Sequence, residues 1–356
     1  MKKLRVALLG QGRSGYSIHG QHLLKDTERF EVVAVVDALP ERREKAERVF
    51  GCDTYATYQE LFARTDIDLV VNSLTSPYHC PVTIEFLEHG FNVLCEKPIG
   101  EKPEDIDRMV AAAEKSGKMF AMFQQSRMAP YFKKIKEVLS SGVLGRVVQI
   151  SVAFDGFARR WDWQTLQENI AGSLYNTGPH PVDQALNLLD YEGMPTVFCK
   201  MDRVNTFGDA EDYVKIILTA PDRPLIDISI SSCNAYPSGT YNIQCEHGGL
   251  WSNQTEVKWR WFDPKEAPEQ RLIRTPLTDA NGEPAYCGEK LPWQEKSWTA
   301  AQDESAFVSA VHEYYSNIYE HLTEGKELII RPEQVRQQIA VIYECHRQNP
   351  MSRLED

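Results

Sequence analysis

The chain has 356 residues, 42% of them apolar and 25% charged, the balance of a folded globular protein able to bury a sizeable core. At about 150 residues per domain, that length suggests two domains. Acidic residues outnumber basic ones 51 to 39, for a net charge of -12, which argues against a nucleic-acid binder or a partner of anionic membranes, both of which need a basic face.

Residues 4–9 (LRVALL) read as a first strand that ends in glycine. The preceding lysines do not make a signal peptide, because Arg5 interrupts the apolar run and no small-residue cleavage site follows. No apolar run reaches about 18 residues, so no transmembrane helix is expected. A helix over 14–26, a strand over 31–36, a charged helix over 41–50 and a short helix over 59–63 follow. Then come a strand over 68–72, a helix over 81–89, a strand over 91–95, a helix over 103–116 and a strand over 118–123. This alternation with short connections predicts a parallel sheet covered on both faces.

The rhythm changes after Gln125. A helix over 131–140 precedes a half-buried strand over 146–154. Further strands are predicted over 196–201, 213–218, 226–232, 241–245 and 257–262, with helices over 181–189, 304–324 and 332–347. Residues 263–297, rich in Pro, Gly and charge, read as a surface excursion. The expected architecture is α/β: an N-terminal Rossmann fold, a doubly wound parallel sheet, over 1–125, and an α+β domain with a largely antiparallel open sheet over 126–356.

Cys52, Cys80, Cys95, Cys199, Cys233, Cys245, Cys287 and Cys345 form no C-x-x-C pair, and read as reduced thiols of a cytoplasmic protein. The nine histidines show no metal-ligand spacing, so no metal site is expected.

Gly10-Gln11-Gly12-Arg13-Ser14-Gly15 is G-x-G-x-x-G, placed between a predicted strand and a predicted helix, the context in which this motif binds a dinucleotide. The first glycine permits the turn, the second lets backbone approach a pyrophosphate, and the third packs helix on strand. The helix N-terminus adds N–H donors and the positive end of its dipole. Asp37 closes the second strand, where a carboxylate accepts from ribose hydroxyls and repels a 2′-phosphate. That favours NAD over NADP. Arg42 and Arg43 stand nearby as possible phosphate ligands, or simply as solvated charges on a helix.

Thr75 to His79 (T-x-x-x-H), the Glu96-Lys97-Pro98 turn at a strand end, the 125–130 segment QSRMAP, the GVLG at 142–145 and the 173–180 segment SLYNTGPH occur in this order. Together they resemble the Gfo/Idh/MocA oxidoreductase family over nearly the whole chain. The resemblance implies a Rossmann domain joined to an open-sheet domain, assembled as homodimers or homotetramers on that sheet. It implies coenzyme contacts from Thr75, His79, Glu96, Lys97 and Gln125, and a cis Lys97–Pro98 bond that aims the lysine.

Lys97 lies at the C-terminal edge of a parallel strand, where open α/β sheets bind ligands. Partly desolvated beside a cationic nicotinamide, its pKa should fall, allowing it to take a hydroxyl proton. The family pattern D-x-G-x-H matches His180, whereas Asn176 stands where aspartate is usual. An amide cannot stabilise an imidazolium as a carboxylate does, so His180 should be more often neutral and Lys97 is the better base. Helical spacing would set Asn176 and His180 on one face, unless Pro179 intervenes.

Arg127, Arg160, Trp161 and Trp163 are candidate substrate residues, the tryptophans for stacking on a sugar face and the arginines for hydroxyls or phosphate. Equally, the tryptophans fit the core of the second domain. Trp259 and Trp261 read as a sheet or subunit-interface face. The reading that follows is an NAD-dependent oxidoreductase acting on a secondary hydroxyl of a sugar, sugar derivative or cyclitol. Redox-neutral chemistry through transient sugar oxidation, and a nucleotide-sensing regulator, are the alternatives.

Overall fold

The computed structural model describes residues 2–300 and 305–354. Six strands, β1 (Leu4–Leu9), β2 (Phe30–Val36), β3 (Asp53–Tyr55), β4 (Leu69–Asn72), β5 (Val93–Cys95) and β6 (Phe120–Met122), form one all-parallel sheet in the order β3-β2-β1-β4-β5-β6. β4 and β5 are buried along their whole length, and β1 is buried except at Arg5, as their apolar runs require. The strand order reverses between β1 and β4, so the ligand crevice of this architecture opens at their C-terminal ends.

The helix after β1 runs with wide π-type turns over Arg13–Gly20 and continues as α1 (Gln21–Lys25). α2 (Pro40–Phe50), α3 (His79–Glu88) and α4 (Pro103–Ser116) complete the crossovers. Proline at the first turn of α2 and α4 costs no intrahelical bond, because that N–H would be unpaired anyway.

The second half contains α5 (Pro130–Ser140), β7 (Val147–Asp155), α6 (Ser173–Asn176), α7 (Pro179–Leu188), β8 (Thr196–Asp202), β9 (Tyr213–Thr219) and β10 (Leu225–Ser231). It continues with β11 (Tyr241–Cys245), β12 (Gly248–Ser252), β13 (Glu256–Trp261), the short pair β14 (Leu277–Thr278) and β15 (Pro284–Ala285), then β16 (Gln294–Thr299), α8 (Ala306–Glu324) and α9 (Pro332–Gln348). Its eight-stranded sheet has the order β16-β13-β12-β11-β7-β10-β9-β8. β7 and β10 pair in parallel, and the other ladders are antiparallel. Alternation is strict along β9, where Val214, Ile216 and Leu218 are buried and the residues between them are partly open.

Five strands carry no clear sequence pattern, among them the two-residue β14 and β15. β3 is short, β12 opens on Gly248-Gly249, and β16 (QEKSWT) is polar because it is the sheet's edge. The 263–297 excursion is largely exposed, as expected, and its last residues form this edge strand. Residue 304, the expected start of the next helix, lies outside the described residues.

α8 returns to the first sheet. Tyr314 Oη donates to the Met122 carbonyl at 2.7 Å and Tyr319 Oη to that of Lys2 at 2.9 Å. Tyr315, fully buried, packs against His19, His22 and Phe30. Among the described residues no helix is long and apolar enough to cross a membrane.

Candidate active site

The three glycines of the loop serve different ends. Gly10 has φ +86°, and a Cβ there would meet the Ser73 carbonyl oxygen at 2.8 Å. A Cβ on Gly15 would collide with the Gly10 carbonyl oxygen. Gly12 has nothing within 4 Å of its Cβ direction, so the chain's own packing does not demand a glycine there. That open face of the loop fits the approach of a pyrophosphate. Arg13 is exposed and Ser14 partly so at the helix start. Gly12→Val is expected to weaken NAD binding by roughly tenfold or more without moving the thermal midpoint, whereas Gly15→Ala should lower that midpoint. Coenzyme titration and thermal unfolding of the two variants separate these effects.

Asp37 is buried at the end of β2. Its Oδ2 accepts the Gln11 N–H at 2.7 Å and its Oδ1 accepts the Leu39 N–H at 2.9 Å, which ties the glycine loop to the start of α2. The remaining lone pairs suit a ribose diol. Arg42 turns toward Asp37, 3.4 Å from Oδ2, and Arg43 donates to the carbonyls of Asp37 and Ala38.

The turn after β5 is braced from two sides. His79 is buried, with Nδ1 2.7 Å from the Pro98 carbonyl oxygen and Nε2 2.9 Å from that of Leu74. With both nitrogens engaged, His79 holds the turn in place, and Thr75 and Tyr78 are the exposed members of its segment. The Lys97–Pro98 bond is cis. Glu96 is buried, accepting the Lys97 N–H on Oε2 at 2.8 Å, while Oε1 faces His19 Nε2 at 3.3 Å. Burial alone would raise its carboxyl, but the His19 contact and the charges of Lys97 and His79 hold it at about 2. His19 Nδ1 pairs with Tyr315 Oη at 2.7 Å. His19 and Tyr315 were invisible to sequence reasoning, because 296 residues separate them.

Lys97 Nζ donates to the Asn176 carbonyl at 2.7 Å and lies 3.3 Å from its Oδ1. Burial lowers its pKa from the usual 10.5, Arg13 and Arg160 push the same way, and Glu96 opposes them. His180 is brought down to about 3, by burial first and then by the charge of Lys97, so its ring is neutral at pH 7. Its Nδ1 is buried without a hydrogen-bond partner among the described residues. Asn176 and His180 do not share a helix. α6 ends at Asn176, Gly178 fills the joint, and Pro179 opens α7 with His180 in its first turn. Gln125, 3% exposed, likewise has an unpartnered Oε1. The open Gly12 face, the Asp37 carboxylate and these orphaned atoms fit an NAD cofactor laid from the loop toward Lys97.

Arg127 is not available to a substrate. It is buried and makes a bidentate pair with Asp183, Nε to Oδ2 at 2.9 Å and Nη2 to Oδ1 at 2.5 Å. Its other donors reach Gln334 Oε1, the Ile329 carbonyl and Tyr191 Oη. Arg127 is drawn inward, away from the substrate role its sequence suggests, by partners from α7, α9 and the loops beside them, none near in sequence. Arg160 is bound to Asp162 and Gln164 Oε1, within charge reach of Lys97. Trp161 and Trp163 are not core residues, being 78% and 42% exposed on the loop that carries Arg160.

Glu211 is a further residue that sequence reasoning missed. Buried beneath Gly172, it takes the Ser173 N–H on its carbonyl at 2.9 Å and the Leu174 N–H on Oε1 at 2.8 Å, so it caps the helix ending at Asn176. Burial raises its carboxyl from 4.5 to about 8. Between those values the folded chain binds the extra proton, so stability present below pH 4.5 is lost as pH rises through 8. Glu211→Gln keeps the acceptor without the charge. It should match the wild type in acid and exceed it by on the order of 3 kcal/mol at pH 9, read by urea unfolding.

The parallel sheet, glycine loop and acidic ribose residue define a dinucleotide-binding protein with a second, open-sheet domain. Residues 4–124 match the oxidoreductase family with an NAD-binding Rossmann fold, Gfo/Idh/MocA, and residues 132–251 match the Gfo/Idh/MocA C-terminal domain. The chain belongs to the Gfo/Idh/MocA oxidoreductase family. It is 26% identical over 258 residues to the 2,7-anhydro-N-acetylneuraminate hydratase of Mediterraneibacter gnavus, covering 70% of this chain and 67% of that one. It is 29% identical over 201 residues to the D-glucoside 3-dehydrogenase of Escherichia coli, covering 54% and 56%. The alignments span about two thirds of the length of the first curated relatives. The WlbA dehydrogenase from Bordetella pertussis, solved with NADH and UDP-GlcNAcA, superposes with a TM-score of 0.75 at 21% identity, covering 99% of this chain and 98% of that one. At that identity the likeness speaks for the fold.

Proposed function

We propose that the protein is an NAD-dependent dehydrogenase that interconverts a secondary hydroxyl and a ketone on a sugar, sugar derivative or cyclitol, with Lys97 as general acid/base. The observation that carries this reading is the Lys97 ammonium, held by Asn176 at the crevice and biased toward its neutral form. NAD, held by Gly10 to Gly15, Asp37 and Gln125, supplies the hydride acceptor. Lys97 Nζ takes the hydroxyl proton as the carbon is oxidised, and returns it in the reverse direction. Neutral His180 offers its imidazole to a neighbouring hydroxyl. Asn176 fixes Lys97 through its carbonyl groups and leaves its NH2 end to donate. Exposed Trp161 and Trp163 supply ring faces for a sugar at the crevice mouth.

A groove lined by Trp251, Trp259 and Trp293 on the eight-stranded sheet supports a homodimer or homotetramer built there. The eight unpaired cysteines suit the cytoplasm.

Purified protein with NAD, and separately NADP, is assayed against inositols, aldoses and glycosides. NADH formation with one substrate class, lost in Lys97→Met, supports the reading. The hydratase name of the M. gnavus relative favours a second one, in which oxidation is transient and the coenzyme is not consumed. Product formation without net NADH, still dependent on Lys97, selects that alternative. Absence of any turnover together with tight NAD binding overturns both in favour of a sensor.

A further inference from the structure

Away from the crevice, α1 and α8 bring together a group of side chains that the chemistry above does not use. His22 lies on α1, Asp26 caps its C-terminal end, and His312 projects from α8. One ligand atom from each lies within 4.8 Å of the others. His22 Nε2 is 3.6 Å from Asp26 Oδ2 across one helical turn. His22 is 8% exposed, and its Nε2 is buried with no hydrogen-bond partner among the described residues. All three residues line a cavity of about 170 Å³, whose walls include Ile18, Phe307 and Val311.

A buried imidazole nitrogen left without a partner costs stability unless something else uses it. We propose that His22, Asp26 and His312 bind one divalent transition-metal ion of the zinc type, with water in the fourth position. Two imidazoles and a carboxylate are a borderline-soft donor set that suits zinc and leaves magnesium or calcium poorly served. Ligands about 2.0–2.2 Å from a tetrahedral zinc lie roughly 3.3–3.6 Å apart, so the His22–Asp26 pair is already at working distance. His312 is exposed, and a rotation of its side chain closes the set. The supporting shell is in place. His22 stacks on Tyr315 with centroids 4.4 Å apart, which fixes its ring plane. Arg29 donates to both Asp26 oxygens from Nε, at 3.0 and 2.8 Å, and orients the carboxylate. Arg29 also takes a share of that carboxylate's charge, and Lys25 adds another positive group to the wall, so both weaken the affinity. The i, i+4 spacing of His22 and Asp26 is present in the sequence, but the third ligand is 286 residues beyond Asp26.

The test uses the full chain, with Zn²⁺ competed against a chromophoric chelator and Co²⁺ as a spectroscopic probe. One equivalent of Zn²⁺ is expected. His312→Ala, a change at an exposed position that spares the fold, should weaken it by about tenfold or more, as should Asp26→Asn. Co²⁺ should show nitrogen and oxygen ligation without a thiolate charge-transfer band, which excludes the free cysteines. Unchanged affinity in natively folded His312→Ala, a thiolate band, or no binding by the wild type would overturn the proposal.

Discussion

Lys97→Met is expected to lower kcat/KM for the proposed sugar or cyclitol substrate by about 10²–10⁴-fold, which is the range a positioned general base contributes. NAD affinity should change little, because the proposed pyrophosphate and ribose contacts are those of Gly12 and Asp37. The pH profile carries a second signature. The pKa of Lys97 is lowered from 10.5, so oxidation rises with pH as Lys97 loses its proton, with a midpoint below that value. Methionine has the length but no titratable group, so the rise should vanish in the variant. Steady-state rates from pH 6 to about 10 provide both tests. A variant that kept the rise would move the role of base to another residue. His180, at about 3, is already neutral and could not supply a transition in that range.

Asp183→Ala is expected to cost about 3–5 kcal/mol in urea unfolding, the usual penalty for removing one partner of a buried ion pair. Asp183 is fully buried, and Arg127 would keep its charge with two of its five acceptors, the only charged ones, gone. Gln334, Tyr191 and the Ile329 carbonyl would remain, but all three are neutral acceptors. The double replacement Arg127→Met with Asp183→Leu should recover most of the loss, since no charge is then stranded. A single-variant loss below about 1 kcal/mol would mean that water reaches the guanidinium.

The two structures that local pattern specifies were legible in advance. The parallel sheet follows from buried Val/Leu strands separated by helices of ordinary length. The glycine loop, Asp37 and Lys97 each sit at a strand end, where position alone carries meaning. What was not legible depends on distant partners. Arg127 looks the same in sequence whether it faces a substrate or Asp183. His19 acquires its role from Glu96 and Tyr315, and Glu211 from the helix that ends at Asn176. The tryptophans at 161 and 163 were open to two readings, and only the course of their loop, unsupported by a sheet, decides for exposure. Asn176 and His180 fall on two helices because Pro179, the residue that stood against a shared face, opens α7 in its first turn. β16 escaped notice because an edge strand has little need of apolar residues.

The docking of α8 bears on how separable the two halves are. A cut at residue 125 looks clean along the chain, yet in space the nucleotide-binding half is finished by side chains that lie nearly 190 positions further on. Tyr314 completes the end of β6, Tyr319 reaches back to Lys2, and Tyr315 covers His19 and Phe30. Severed from that helix, the first half would present a raw aromatic scar where its interior should be. The first half is thus sealed by a helix from late in the chain, with only α9 after it.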